Sequence, residues 1–504
     1  MQRLLSRTWA GDDSGARPWV FFLYLAFLTL CFLGGGGSRG DILSLLYLRP
    51  AAILCAAAIL VFDRRIALGA VKVPLLLLAA LALIMVLQLI PLPPEIWTSL
   101  PGHAPFVDAA TIAQIDQPWR PISVAPDLTL DSLVSLVVPF AALIGFAALS
   151  PGQRYWLLGF LIAAAAMSAL LGIAQMVSGD LSPFYLYRIT NNGSAVGFFS
   201  NANHQAALLA MAYPMLAVWA AMPDLDPPAR RFRSILGAAL GLLLVPLILV
   251  TGSRAGLFLA VAGVLIAGIL YVSLARHRGQ TGGLAWKRLA LLIAAILILG
   301  AAIAVLAFAR ATTLQRLFEL HVGSDLRVAN LPVIVQIARD FFPLGSGFGT
   351  FEPVFQVYEP MRSLDLEYLN HAHNDLLELV LTGGLPALLL LGAFLLWFAT
   401  KAFGVSRRRP APAPAAAIAL ARLGAAMIAI LFVASVLDYP LRTPIMAALF
   451  AIACGWLSVG GDTVKRADKL ERGNRPDAGD GAPGMTRGPA DAAAKINESS
   501  KVGR

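Results

Sequence analysis

Apolar runs of about twenty residues, divided by short polar segments, dominate this sequence and leave few folds open to it. A helix needs roughly 20 mostly apolar residues to cross a bilayer. Within lipid it must also satisfy its own backbone hydrogen bonds, which excludes open sheets. About twelve such runs are present, at residues 19–36, 43–62, 72–91, 131–149, 155–177, 203–222, 235–252, 254–274, 289–309, 376–400, 414–437 and 443–460. The sequence therefore predicts an all-α, polytopic membrane protein.

The composition supports a membrane protein and excludes some other classes. Charged residues make up 13% of the 504 residues, whereas a soluble protein contains about a quarter. A net charge of +10 would suggest nucleic acid as the partner of a soluble chain, but here its distribution sets membrane orientation, and no nucleic-acid partner is expected. The cysteines Cys31, Cys55 and Cys454 lie in apolar runs without Cys-x-x-Cys spacing, so they are expected to be small core residues.

Lysine and arginine collect in alternate connections between the predicted helices. Because these residues favour the cytoplasmic side, the pattern predicts that both termini are cytoplasmic. Two long loops, 92–130 and 310–373, then lie on the outer side. The expected organisation is a cytoplasmic N-terminus over 1–18, a membrane domain over 19–460 and a disordered cytoplasmic tail over 461–504.

A cluster of polar side chains immediately precedes the apolar run at 376–400. It consists of Asn370, His371, His373, Asn374 and Asp375, and it holds two of the six histidines in the chain. Ionisable groups are costly near hydrocarbon, so such a cluster at a membrane boundary usually faces a functional cavity. The cluster is therefore the first candidate for a site.

The loop 310–373 is long for an ordinary connection. It contains arginines on the side where the positive-inside rule predicts few cations: Arg310, Arg316, Arg327, Arg339 and Arg362. Such an excess indicates an acidic partner, and phosphate or diphosphate suits the planar guanidinium fork. The loop pattern also predicts a helix over about 326–340 and a glycine-rich turn from Pro343 to Gly349, which matches no Walker or dinucleotide motif.

Three further polar features fall on the predicted outer face: Ser253-Arg254 in a tight hairpin, Arg188 near Asn191 and Asn192, and Asn201-Ala-Asn203-His204 at a helix start. Each has a purely structural alternative. Arg254 would anchor to lipid head groups, and His204 would hydrogen-bond between helices. Arg422, inside an apolar run, is expected to extend toward the cytoplasmic surface. The concentration of polar groups on one face favours a functional site there.

Several motifs resemble those of the O-antigen ligase and polymerase superfamily, in the same order along the chain. They are Thr251-Gly-Ser-Arg-Ala-Gly-Leu, Asp325-Leu-Arg327, Pro343-Leu-Gly-Ser-Gly-Phe-Gly, His373-Asn-Asp-Leu-Leu-Glu-Leu and Gly383-Gly-Leu-Pro. Asn201-Ala-Asn-His and Trp119-Arg-Pro-Ile-Ser are similar too. The similarity covers roughly residues 20 to 460. The His-Asn motif and its glycines are the most specific part, and the Ser-Arg-x-Gly piece is weak alone.

The resemblance implies a glycosyltransferase of the bacterial inner membrane that uses an undecaprenyl-diphosphate-linked glycan at the outer face and needs no cofactor. The acceptor would be a sugar of the lipid A core in a ligase, or another lipid-linked repeat unit in a polymerase; the sequence leaves both open. By motif position, Arg254 and Arg327 would bind the donor diphosphate and His373 would be catalytic. His371, two residues earlier, remains an alternative to His373. The supporting residues are Asn374, Asp375, Asn203, His204 and Arg188.

The chemistry of these residue types agrees with that function. Arginines stabilise the negative charge of a departing diphosphate, and a neutral histidine accepts the proton of an acceptor hydroxyl. The outer segments contain no Asp-x-Asp pair suited to Mg²⁺, so an inverting, metal-independent transfer is expected. A transporter or flippase is the alternative, but it would place polar groups near the membrane centre and often consists of two related halves. A scaffold would leave the histidine cluster unexplained.

Overall fold

The computed structural model describes residues 17–63, 65–222, 226–276, 326–361, 369–407 and 415–473. The predicted span 289–309 and the arginines Arg310, Arg316 and Arg362 lie outside the described residues. The chain divides into two units, Met1–Val464 and Lys465–Arg504. In the second unit only residues 465–473 are described, and they are helical.

The described residues form helices, and the only β-type pairing among them is a single bridge between Leu92 and Arg120. In chain order the α-helices are α1 Pro18–Gly34, α2 Leu45–Phe62, α3 Lys72–Leu89, α4 Pro94–Trp97, α5 Ala104–Ile112, α6 Pro126–Ser135, α7 Val137–Ala148, α8 Pro151–Val177, α9 Ala202–Ala220, α10 Pro227–Val250, α11 Arg254–Arg276, α12 Leu326–Asp340, α13 Phe351–Tyr358, α14 Asp375–Arg407, α15 Ala415–Leu437 and α16 Pro444–Gly473. Short 3-10 turns cover Leu68–Val71 and Pro440–Arg442.

Nine of the described helical segments are long and apolar enough to cross a membrane. They coincide with predicted spans, so the polytopic all-α architecture is confirmed, while the number twelve remains a prediction. The helix predicted within the outer loop is also present, as α12. The last helix continues to Gly473, past residue 461, where the sequence placed the beginning of the tail.

The helix α9 is the centre of the bundle. It is buried on nearly every side and packs against α8, α10, α11 and α15, as expected for a helix that is apolar all round. Small residues bring its neighbours close, as is common where helices pack in lipid. A Cβ added to Gly263 of α11 would lie 2.5 Å from the carbonyl oxygen of Ala210, so this glycine allows the two backbones to touch.

The contacts of Arg422 lie near the last residues of α11 and α14, at the end of the bundle that the sequence predicts to be cytoplasmic. The Arg422 side chain is buried, with the residue only 7% exposed. The guanidinium donates from Nη1 to Ser273 Oγ at 2.8 Å and from Nε to the Val405 carbonyl at 3.3 Å. Arg422 therefore joins three helices through groups that an apolar interior would otherwise leave unsatisfied.

The glycine-rich turn from Pro343 to Gly349 is fastened to a break in α14. Gly384, in the middle of that helix, has φ +60° and ψ −150°, a conformation that side chains other than glycine strongly disfavour. The break frees backbone groups, and the amide of Leu385 donates to the Pro343 carbonyl at 2.7 Å. A Cβ on Gly384 would lie 2.2 Å from the same carbonyl oxygen. This attachment fixes α12 and α13 relative to the beginning of α14.

Candidate active site

The histidine cluster lies at the N-terminus of α14, where the local sequence determines its geometry. Asn374 caps the helix, since its Oδ1 accepts from the amides of Leu376 and Leu377, each at 3.0 Å. An asparagine cap satisfies amides that have no partner within the helix. His373 precedes the cap with φ +50°, a left-handed conformation that is uncommon outside glycine and often occurs at functional positions. The cap thus fixes the direction in which the histidine leaves the helix.

His373 is paired with a buried carboxylate. Its Nδ1 lies 2.9 Å from Oδ1 of Asp438, whose side chain is only 3% exposed. A carboxylate accepts a hydrogen bond, so Nδ1 carries the proton and Nε2 is the basic nitrogen. Among the described residues, Nε2 has no hydrogen-bond partner. This arrangement is suited to a general base, because the imidazole is oriented and its second nitrogen can accept a proton.

Asp438 also connects His373 to the helix α9 and to the hairpin before α11. Its Oδ2 accepts from Asn203 Nδ2 at 2.7 Å, and Asn203 Oδ1 accepts from the Ser253 hydroxyl at 2.6 Å. Ser253 in turn accepts from the amide of Gly256 at 2.8 Å, inside the first turn of α11. A continuous series of hydrogen bonds therefore joins the motif that contains Arg254 to the motif that contains His373.

The ring of Tyr439 occupies the space between three histidines. Its centroid is 4.4 Å from that of His371, 4.8 Å from that of His373 and 5.2 Å from that of His204. The contacts with His373 and His204, at interplanar angles of 63° and 86°, are edge-to-face arrangements that aromatic rings favour. His204 is 1% exposed and its Nε2 lies 3.9 Å from Asp438 Oδ2, so it belongs to the packing around the carboxylate.

His371 belongs to a second, separate group of charged side chains. Its Nδ1 lies 3.0 Å from Glu378 Oε1, and Arg442 reaches the same oxygen at 3.4 Å and Asp375 Oδ1 at 3.3 Å. Burial alone would lower the pKa of the Arg442 guanidinium, but the carboxylates of Glu378 and Asp375 outweigh it, and this pKa is raised above its ordinary value. Asp375 is held further by the Ser435 hydroxyl at 2.9 Å. These contacts fix the beginning of α14 against the turn that follows α15.

The three predicted arginines lie at the starts of helices or in a connecting segment. Arg254 is the first residue of α11 and is exposed. Arg327 is the second residue of α12, and its side chain lies outside the described part of the chain. Arg188 is exposed in the segment between α8 and α9. The pKa of Asp41 is lowered below its ordinary value by the hydrogen bond from Arg39 and by the charge of that residue, and the charge of Arg188 lowers it further.

The described residues contain no group of three or more His, Cys, Asp or Glu side chains that could hold a metal ion. The carboxylates nearest the histidines are paired instead: Asp438 with His373, Glu378 with His371 and Arg442, and Asp375 with Arg442. The cysteines of these segments are buried and free.

Four residues of this site were not predicted from the sequence as functional: Glu378, Asp438, Tyr439 and Arg442. Asp438 and Arg442 did carry a signal, since they are charges in a short turn between two apolar helices. Glu378 carried a weaker one, as a carboxylate one turn into an apolar helix. The pairing of Asp438 with His373 and of Glu378 with His371 could not be predicted from the sequence.

Comparison with known proteins identifies one family in this chain. Residues 238–392 match the family model described as O-Antigen ligase. The matched segment runs from α10 into α14 and includes Arg254, Arg327 and the histidine cluster, whereas Asn203 and Asp438 lie outside it. No curated protein matches the chain. The match confirms the resemblance to the O-antigen ligase and polymerase superfamily that the motifs indicated.

Proposed function

We propose that this chain, a polytopic membrane protein with a domain of the O-antigen ligase and polymerase superfamily, transfers a glycan from an undecaprenyl-diphosphate donor to an acceptor hydroxyl. The reaction takes place at the outer face of the bacterial inner membrane. The family match supports a glycosyltransferase of ligase or polymerase type. The donor is the one that the resemblance implies, and the distribution of basic residues supports the outer side of the membrane.

The observation that carries this proposal is the series of hydrogen bonds from Ser253 through Asn203 and Asp438 to His373. It brings three motifs, distant in the sequence, to one end of the helix bundle. A transporter would need its polar groups at mid-membrane, whereas these groups lie at helix ends and in turns. His373, oriented by Asp438, and Arg254 at the start of α11 support a transfer reaction instead.

In the proposed reaction, Nε2 of His373 accepts the proton of the acceptor hydroxyl. The hydroxyl oxygen forms a bond to the anomeric carbon of the donor glycan while the bond from that carbon to the diphosphate oxygen breaks. Attack from the face opposite the leaving group inverts the configuration at that carbon. Asp438, without taking up the proton, stabilises the imidazolium that forms.

Arg254 and Arg327 are proposed to bind the diphosphate and to stabilise the charge that develops when it leaves. Guanidinium groups grip two phosphate oxygens at once, and electrostatic stabilisation of this kind is often the largest contribution to catalysis. Two arginines can provide the charge that Mg²⁺ provides in other transferases, so we propose a metal-independent transfer. The start of α11 adds its positive helix end to Arg254.

The glycans of a deletion strain test the function and separate its two forms. A ligase that is missing leaves full-length glycan on the lipid carrier, and a polymerase that is missing leaves single repeat units on the acceptor. Complementation with the wild-type gene should restore the profile, and His373→Ala should not. A deletion strain with unchanged lipid-linked and surface glycans would overturn the proposed function.

A further inference from the structure

A cavity of about 820 Å³ lies beside the candidate catalytic residues and extends into the apolar interior of the bundle. This volume is typical of ligand sites, which measure about 300–1,000 Å³. His371 lines the cavity, whereas His373 and Arg254 do not. The cavity is therefore a separate compartment that reaches the histidine cluster from one side.

The deep part of the cavity is suited to hydrocarbon. The helix α14 lines it from Asp375 to Phe394, a distance of roughly 28 Å at 1.5 Å per residue before the bend at Gly384 is subtracted. This approaches the thickness of the hydrocarbon core, about 30 Å. Phe432 of α15 and Phe450 of α16 contribute to the same wall. An acyl or prenyl chain entering from the membrane would meet only apolar surface there.

The outer end of the cavity is polar, and its formal charge is negative. Five carboxylates line it: Asp41, Asp127, Asp131, Glu352 and Asp375. Three arginines also line it: Arg39, Arg49 and Arg442. Each arginine is paired with one of the acids, at 2.9 Å for Arg39 with Asp41, 2.6 Å for Arg49 with Asp131 and 3.3 Å for Arg442 with Asp375. Within the described chain, Asp127 and Glu352 have no basic partner.

This charge distribution selects between two classes of ligand. A diphosphate carries several negative charges and would be repelled by carboxylates that no arginine neutralises. Sugar hydroxyls, by contrast, donate hydrogen bonds, and an ionised carboxylate is an acceptor with up to four lone-pair sites. Hydrogen bonds to charged groups contribute about 1.5–3 kcal/mol each. The outer end of the cavity therefore favours a hydroxyl-rich sugar over a phosphate.

We propose that this cavity is the acceptor site, and that it holds a membrane-anchored glycolipid with its lipid chain against α14 and its sugar hydroxyls against Glu352, Asp127 and His371. This inference rests on the proposed function and adds the position at which the acceptor binds. The donor diphosphate then lies on the other side of the cluster, at Arg254. His371 positions the acceptor, while the neighbouring His373 removes the proton.

Photo-crosslinking in the native strain tests this placement without knowledge of the sugar. A benzoylphenylalanine replaces Leu391, which lines the cavity, or Leu396, which is on the same helix, is 67% exposed and does not line it. After irradiation the full-length protein is purified and the mass of the attached lipid is measured. We expect sugar-bearing lipid on the Leu391 variant and bulk phospholipid on the Leu396 variant. Phospholipid on the Leu391 variant, or a glycan linked to polyprenyl diphosphate there, would overturn the proposal.

A second set of variants tests the carboxylates. Glu352→Gln and Asp127→Asn, combined with the probe at position 391, should lower the yield of sugar-bearing adduct by about tenfold or more. Glu95→Gln is the matched control, because Glu95 is an exposed acid of the same outer loop region that does not line the cavity. An unchanged yield in the double variant would contradict the assignment of the sugar to this end.

The two proposals fail in different ways. Crosslinking requires no turnover, so sugar-bearing adducts together with unchanged glycans in the deletion strain would overturn the transferase and leave the lipid site standing. A confirmed transfer reaction whose KM for acceptor is the same in the wild type and in Glu352→Gln/Asp127→Asn would overturn the acceptor site alone.

Discussion

Nδ1 of His373 lies 2.9 Å from Oδ1 of Asp438, a residue 65 positions further along the chain. The carboxylate is almost completely buried, and its second oxygen is held by Asn203 at 2.7 Å. A buried carboxylate with fixed partners keeps an imidazole in one tautomer and one orientation. The pair thus prepares Nε2 of His373 to act as a base.

Asp438→Asn tests this pair. The amide can donate a hydrogen bond to Nδ1, which places the imidazole proton on Nε2 and removes the base. We expect transfer to fall by roughly 10²- to 10⁴-fold in kcat, with donor affinity nearly unchanged, measured on purified protein with lipid-diphosphate glycan and acceptor. Asp226→Asn is a suitable control, because Asp226 only caps α10 and asparagine caps equally well. Full activity in Asp438→Asn would contradict the orienting role.

The two histidines should differ in the kinetic parameter that each controls. His373→Ala removes the proposed base and should lower kcat by about 10²- to 10⁴-fold. His371→Ala should be milder and act mainly on the KM for acceptor, because His371 lines the cavity and His373 does not. Steady-state kinetics at varied acceptor concentration separate the two effects. A larger kcat loss in the His371 variant would exchange their roles.

The arginines are tested by a substitution that keeps the charge. Arg254→Lys and Arg327→Lys retain a cation but lose the fork that grips two oxygens, so both should impair transfer. Loss of one charge-assisted contact costs about 1.5–3 kcal/mol, which is roughly tenfold to over a hundredfold in donor affinity. Arg120→Lys is a control, since Arg120 contacts the ring of Trp97 in the loop 92–130, which is predicted to face outward. Wild-type donor binding and turnover in Arg254→Ala and Arg327→Ala, made alongside the lysine variants, would exclude a role in diphosphate binding.

Composition and periodicity were sufficient to predict the helical bundle, because a run of some twenty apolar residues has few other structures available. Because polar groups near hydrocarbon are energetically costly, the sequence also predicted His373, Asn203 and Arg254 as candidate site residues. The role of Asp438 was not readable, because its contact with Asn203 spans 235 positions and depends on how three helices pack. The partners of Arg422 could not be predicted for the same reason, because they lie on two other helices. The diphosphate role of Arg327 stays a prediction.

Arg442 should be important for stability rather than for chemistry. It lies beside Asp375 and Glu378, whose side chains are 8% and 1% exposed. Removing one partner of a buried ion pair leaves an uncompensated charge and costs about 3–5 kcal/mol. Arg442→Leu should therefore lower the thermal midpoint of the purified protein well below that of Arg39→Leu, since Arg39 and Asp41 form an exposed pair of the kind that contributes about 1 kcal/mol or less. Equal midpoints would show that the two carboxylates do not depend on Arg442.

The orientation of the bundle is tested by single cysteines on its two sides. Val357, in the loop predicted to face outward, and Ser406, near the end of α14, are both exposed. The native cysteines of the described segments are buried, so background labelling should be low. The alternation of basic residues predicts that an impermeant maleimide reacts with Val357→Cys in intact cells. Ser406→Cys should react only after the cells are broken, because its neighbours Arg407 to Arg409 favour the cytoplasmic side. The reverse pattern would place the histidine cluster in the cytoplasm, where an outer-face transfer is impossible.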